Sequence, residues 1–226
     1  MKLLVVNADD LGYDPAIDRG ILEAHRDGIV TSTSAMVDGP FAAASIRGAP
    51  GSLGVGLHAV IDPAAGEAAA EAELERQIAL FEALRGAAPT HVDTHKHAHA
   101  SPAVLAAVAR VARGRRLPVR AIDASMRASL GAAGVTTADA FLGDAHLRPA
   151  WTAGALLVAL GGIEDGVTEL MAHPGHVASH ARTSFSAERE IELAALCDPR
   201  AREAIRLAGI RLCTWADVGA RARGGM

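Results

Sequence analysis

Short aliphatic runs alternate along the chain with longer amphipathic stretches. Leu3 to Val6 reads as a strand, and Asp14-Pro15 supplies an N-cap with proline at the first helical position, which predicts a helix to about Asp27 that Gly28 ends. Val30 to Met36 alternates apolar and hydroxyl side chains at the period of a strand, Pro40 to Arg47 suits a small helix, and Leu53 to Leu57 is a third strand. Glu67 to Leu84 is rich in Ala and Glu and places Leu74, Ile78 and Phe81 on one helical face. A strand at His91 to His95, a helix from Pro102 to about Arg113 and a strand around Pro118 to Ile122 follow. Asp123 to Leu147 carries no pattern that assigns an element. Beyond it, Trp151 to Leu160 is expected to be helical and Val167 to Ala172 a strand; Ala187 to Leu196 and Pro199 to Leu207 are helices capped by Ser186 and Asp198. Ile210 to Cys213 is a last strand, closed by a short helix. This alternation predicts an α/β fold of parallel strands with right-handed crossovers, in an open doubly wound sheet or a closed or distorted (β/α) barrel.

Composition narrows the function classes. The 226 residues are 50% hydrophobic and 21% charged, enough for one sizeable core, and no linker or repeat divides the chain, so a single domain over 1–226 is expected. The net charge is −4 and only Lys2 and Lys96 are lysines, which argues against a phosphate-tracking face and hence against nucleic acid. The basic cluster at Arg110, Arg113, Arg115 and Arg116 reads as a solvated helix end. Cys197 and Cys213 are too few for a disulfide framework. The first apolar run is too short for a signal peptide core and no run approaches a membrane span, so a cytoplasmic location with no membrane partner is expected.

The chemistry is concentrated where strands end. Asp9 and Asp10 follow the first strand, His58 the third, His95 ends His91-Val92-Asp93-Thr94-His95, and His173 follows Glu169-Leu170-Met171-Ala172. In α/β folds the C-terminal ends of parallel strands form the ligand-binding face. Two adjacent carboxylates cannot point the same way on a regular strand, so one of Asp9 and Asp10 is expected to turn into the site while the other serves it from the side. His91, Asp93, His95, His97 and His99 recur at period two and share a face for as long as the segment stays extended. The strand is expected to stop near His95, leaving His97 and His99 in the next loop to face substrate or support the ligands. One carboxylate and two histidines suit a divalent ion with open positions, at which a water becomes nucleophilic near neutral pH. The candidates fill that set: Asp10, His58 and His95 as ligands, Asp9 as general base and His173 as acid.

These blocks resemble a known family. Asn7-Ala8-Asp9-Asp10-Leu11-Gly12, Gly56-Leu57-His58, His91 through His99 and Glu169-Leu170-Met171-Ala172-His173-Pro174-Gly175 resemble, in the same order, the signature segments of the YdjC-like (ChbG/HpnK) carbohydrate deacetylase family. Gly28 to Ser34 and the tail from Arg189-Glu190 through Gly209-Ile210 to Asp217 extend the likeness over nearly the whole chain. The resemblance implies a (β/α) barrel, distorted or seven-stranded, of the glycoside hydrolase/deacetylase type. It further implies metal-dependent removal of an N-acetyl group from an amino sugar, with Mg²⁺ or Zn²⁺ as cofactor, Asp10, His58 and His95 as ligands, Asp9 as base and His173 as an acid or oxyanion partner. Arg120 matches a family arginine that would bind substrate. Two departures concern the substrate: His58 and His95 are only 37 positions apart, and Ala59-Val60-Ile61-Asp62 replaces the usual polar continuation, so part of the wall over the sugar is expected to be trimmed.

Three rival classes are weighed against this reading. A phospho-receiver module needs an aspartate where the third strand delivers His58, and a late lysine, whereas no lysine follows Lys96. A catalytically silent metal- or sugar-binding protein gives no reason for Asp9 and His173 beside a ligand set. A metal-dependent phosphoesterase has only Arg120 near a predicted site strand. Aromatic residues make up 3% of the chain, which leaves Tyr13 and Phe185 as candidate sugar platforms, with packing an equal alternative for each, and favours a mono- or disaccharide or a small glycosylated metabolite over a polymer. A homodimer is left open.

Overall fold

Lys2–Leu11 forms strand β1, longer than the aliphatic run that predicts it and buried without interruption from Leu3 to Leu11. Burial on both faces is the mark of a central parallel strand covered by other layers. The computed structural model describes residues 1–143 and 148–224; residues 144–147 end the Asp123–Leu147 stretch to which the sequence assigns no element. After β1 come α1 (Pro15–Arg26), β2 (Ser32–Ala35), α2 (Ala42–Gly48), β3 (Gly54–Ala59), α3 (Glu67–Arg85), β4 (Val92–Thr94), a 3-10 segment (His95–Ala100) and α4 (Pro102–Arg115). The second half holds α5 (Ala124–Ala132), β5 (Ala140–Leu142), α6 (Ala153–Gly161), β6 (Gly166–Ala172), α7 (Ala187–Leu196), α8 (Pro199–Leu207), β7 (Ile210–Leu212) and α9 (Trp215–Gly224). Among the described residues no helix is long and apolar enough to cross a membrane.

Among the described residues, seven strands form one parallel sheet in the order β4-β3-β2-β1-β6-β5, with β7 also on β1. Since β6 pairs with Lys2 through Ala8, β7 and β2 divide the other edge of β1, β7 taking Lys2–Leu4 and β2 taking Asn7–Leu11. The sheet curls into a half-barrel, and every strand delivers its C-terminal end to the same rim. The expected strand at Pro118 to Ile122 is reduced to one bridge, Val119 beside Val92. Pro118 has no N–H to give, and Asp123 already caps α5 by accepting from the Met126 N–H at 2.8 Å, so few residues remain to pair. That segment lies along β4 nonetheless, where the Arg120 N–H donates to the Val92 carbonyl at 3.1 Å.

Alternate residues of β1 enter different cores, Leu4, Val6 and Ala8 joining the main cluster while Leu3 and Val5 pack with Trp215 and Val218. His91 belongs to this packing and not to the site. Its ring stacks on Trp215 at 5.3 Å and fills the space over Gly56, where a Cβ would stand 2.3 Å from it.

Candidate metal centre and its surroundings

The two aspartates of β1 both reach the site because the strand breaks its regularity between them. Pairing with β2 shifts register between Ala8 and Leu11, and Asp10 has φ +77°, a left-handed conformation rare outside glycine. Asp9 stays on the strand face of Asn7, whose Nδ2 donates to Asp9 Oδ1 at 2.9 Å, while Asp10 is turned round to join it at the rim.

Asp10 meets two histidines there. His58 comes from β3 and His95 from the residue after β4. Asp10 Oδ1 lies 3.3 Å from His58 Nε2 and 3.4 Å from His95 Nδ1, and the two nitrogens are 3.1 Å apart. Donors at about 2.0 to 2.2 Å from one tetrahedral ion stand roughly 3.3 to 3.6 Å from each other, so this triangle, with its shortest edge only slightly tighter, suits a divalent cation. Asp10 Oδ1 is buried and has no hydrogen-bond partner, as a ligand oxygen should be. On the far side of the His58 ring, Nδ1 lies 2.6 Å from Asp93 Oδ1. A carboxylate can only accept, so Nδ1 donates its N–H to Asp93 and Nε2 is the ring atom turned to the centre, where a bound divalent ion would displace its proton. Burial opposes charge on His58, but Asp93, Asp10 and Asp9 overcome it and raise the ring to about 10. The rim therefore strongly favours a cation. Asp9, His58 and Asp93 also group closely enough to hold one, but Arg120 already neutralises that set.

Arg120 is placed otherwise than the sequence expects. Its side chain is fully buried, with Nη1 and Nη2 donating to the two oxygens of Asp9 at 2.7 Å each and Nε donating to Glu169 Oε1 at 2.9 Å. Nη2 also stands 2.8 Å from Asp93 Oδ2. A substrate contact is thus corrected to a support: Arg120 fixes the carboxylate of Asp9 in a bidentate fork. Burial raises the Asp9 carboxyl, and Arg120 more than offsets this, so Asp9 is held below the usual carboxylate range. Glu169 lacks comparable compensation, and burial pushes it up to about 7.

His173 follows the last residue of β6. Its Nε2 is 4.0 Å from Asp9 Oδ2, beyond hydrogen bonding, and its ring packs on Phe185 at 5.3 Å. Candidate acid and base therefore stand side by side, closer than an arrangement across a bound amide would place them. Its position depends on a close backbone approach, since a Cβ on Gly20 of α1 would fall 2.4 Å from the Gly175 Cα.

The extended backbone stops at Thr94, one residue before His95, close to where the sequence ends the strand. Lys96 and His97 are left-handed at φ +53° and +52°, which turns the chain out of the extended state. His99 is consequently buried against the hydroxyl of Thr94, and burial lowers it to about 3; it is a packing residue and not a substrate contact. His97 is half-buried, edge-on to Phe141 at 6.1 Å and held near 4 by burial. The Tyr13 ring lies 6.4 Å from that of His95. It also lines a groove of about 660 Å³ with Phe41, Val60, His180 and Arg182, and its hydroxyl donates to the Arg182 carbonyl at 3.0 Å. Phe185 packs under His173 and Arg189 instead of facing the groove.

Two site residues escape a reading of strand ends. Arg189 donates from Nη2 to Asp10 Oδ2 at 2.6 Å, and Glu192 accepts the His173 backbone N–H at 2.6 Å. Together with the histidines, Arg189 overcomes the effect of burial and holds Asp10 well below the usual carboxylate range.

A family model described as YdjC-like protein matches residues 3–66 and 61–207. A carbohydrate deacetylase of Geobacillus stearothermophilus is 32% identical, the match covering 96% of this chain and 98% of the relative. That alignment spans 246 positions against 226 residues, so at least 20 of its positions are gaps in this chain. A chitooligosaccharide deacetylase of Serratia marcescens is likewise 32% identical, covering 96% and 99%. Among solved structures, an Enterococcus faecalis protein described as a candidate for cellobiose-phosphate cleavage superposes with a TM-score of 0.85 at 25% identity, covering 96% of this chain and 98% of that one.

Proposed function

The chain belongs to the YdjC-like family, and from that premise we propose that it is a metal-dependent hydrolase removing the acetyl group from an N-acetylated amino sugar or a small glycosylated metabolite. The observation that carries the metal-dependent reading is the triangle of Asp10 Oδ1, His58 Nε2 and His95 Nδ1, with edges of 3.1 to 3.4 Å. Two imidazoles in three donors suit Zn²⁺ better than Mg²⁺, which prefers oxygen. An ion held there supplies a Lewis acid for the acetyl carbonyl and makes a water nucleophilic near neutral pH.

The remaining steps fall to the chain's own groups. Asp9, ionised and fixed by Arg120, accepts the proton of the attacking water. His173, exposed enough to meet substrate, gives a proton to the departing amine, which leaves poorly as an anion. Tyr13 forms the wall between the metal centre and the adjoining groove, which is roomy enough for a small glycoside. The reading as a phosphoesterase loses its support, since the arginine it relied on, Arg120, has its guanidinium engaged by buried carboxylates.

The test is a panel of N-acetylated mono- and disaccharides and small glycosides, scored for free acetate beside phosphate release from matched phosphate esters. Acetate release that is lost on chelation and restored by a divalent ion is expected. Phosphate release alone, or binding of ligands with no turnover by the metal-loaded protein, would overturn the proposal.

A further inference from the structure

Helix α7 contributes nothing to the roles assigned above, yet it buries two charged side chains against them. Arg189 and Glu192 are three residues apart, hence on one face of the helix, and are exposed by only 2% and 0%. Charged groups are buried so completely only where partners compensate them. For Arg189 the partner is a metal-ligand candidate: Nη2 takes Asp10 Oδ2, while Nε donates to the Phe185 carbonyl at 2.9 Å and locks the fork. With Oδ2 engaged, only Oδ1 of Asp10 is presented to His58 and His95. For Glu192 the partner is the backbone of the acid candidate. Oε2 accepts from the His173 N–H, the first beyond β6, and Oε1 accepts from the Ala150 N–H at 2.8 Å.

The loop between these partners closes on the same helix. The Gly175 N–H donates to the Arg189 carbonyl at 3.3 Å, and the Val177 N–H to Glu190 at 3.4 Å. From this geometry we propose that α7 positions both halves of the site, Arg189 orienting Asp10 for metal binding and Glu192 setting the place of His173 for proton donation. Neither side chain is a catalytic residue, since each acts through another. The inference rests on the deacetylase reading, but its two halves predict different defects.

Zn²⁺ binding to chelator-stripped protein, followed by calorimetry, tests the first half without reference to activity. Arg189→Met should weaken Zn²⁺ binding about 10- to 100-fold, the usual effect of losing a group that orients a ligand. Arg189→Lys keeps the charge without the fork, so it serves if the Met variant does not fold, and it should still lose roughly tenfold. Glu192→Gln retains one acceptor and sets an amide N–H against the other backbone donor. It should bind Zn²⁺ as the wild type does, and lose on the order of tenfold or more in kcat on the N-acetyl amide at unchanged KM. An activated acetate ester, which needs no proton donor, should be hydrolysed nearly as before. Wild-type Zn²⁺ affinity in a folded Arg189 variant, or equal losses on amide and ester in Glu192→Gln, would overturn the inference alone. A wild-type protein that binds no Zn²⁺ would overturn the functional reading as well.

Discussion

At the residue scale, the neighbouring carboxylates of Asp9 and Asp10 differ in their counter-charges, and the roles proposed for them follow that difference. Arg120 takes both oxygens of Asp9, whereas Arg189 takes one oxygen of Asp10 and leaves the other facing two imidazoles. Asp9→Asn preserves shape but cannot accept a proton, and one face of Arg120 loses its charge partner. The expected result is metal affinity close to wild type, a lower melting temperature, and a rate loss on the order of 10² or more. A comparable loss of metal affinity would instead make Asp9 a ligand. His58→Ala removes a donor at the rim but little of the core, since Asp93 keeps its contact with Arg120. It should lose bound metal, measured by elemental analysis, and activity, while its circular dichroism stays native. Unchanged metal content would remove His58 from the centre.

At the scale of elements, what was legible in the sequence was what strand ends dictate. An apolar run followed by a carboxylate or imidazole marks a rim position in a parallel sheet, and Asp9, Asp10, His58, His95 and His173 were all read that way. Helices α7 and α8 begin and end where their periodicity places them, and Asp198 caps α8 by accepting from the Arg200 N–H, but Ser186 makes no side-chain capping bond to α7, contrary to the sequence expectation. The histidine run leaves the strand near His95, as its sequence suggests, but nothing in the sequence shows that left-handed residues at 96 and 97 send His99 inward and away from substrate. Arg189 and Glu192 were not legible as site residues because their partners are remote, Asp10 being 179 positions from Arg189, and nothing local distinguishes them from solvated charges of an amphipathic helix. The end of β6 yields its own prediction. His173→Ala should damage N-deacetylation far more than hydrolysis of an activated acetate ester, measured side by side on one preparation. Equal losses, with a fall in stability, would mean that the ring only packs on Phe185 and supports the Pro174-Gly175 turn.

For the whole molecule, the rim of the half-barrel gathers buried charged side chains, Asp9, Asp10, Asp93, Arg120, Glu169 and Arg189, whose desolvation is costly and which a core built for stability alone would not need. Stability should accordingly depend on pH through groups away from the metal donors. Burial holds His91 near 4 and His99 near 3, so on acidification the unfolded chain takes up protons that the folded chain refuses. Their stabilising effect is present above about pH 6.5 and is lost as pH falls toward 4, by up to about 2 kcal/mol each between pH 7 and 5. Glu169, raised to about 7, works in the opposite sense over that range, leaving a net fall. Urea unfolding at pH 7 and pH 5 checks this, and His99→Gln should flatten the difference; an equal or steeper dependence in that variant would count against it. The central claim is that Asp10, His58 and His95, carried by three strands, meet at one divalent ion. Anomalous diffraction at the zinc edge from Zn²⁺-soaked crystals tests it most directly. The account predicts a single strong peak about 2.0 to 2.2 Å from Asp10 Oδ1, His58 Nε2 and His95 Nδ1, and a peak among Asp9, His58 and Asp93, or none at the rim, would contradict it.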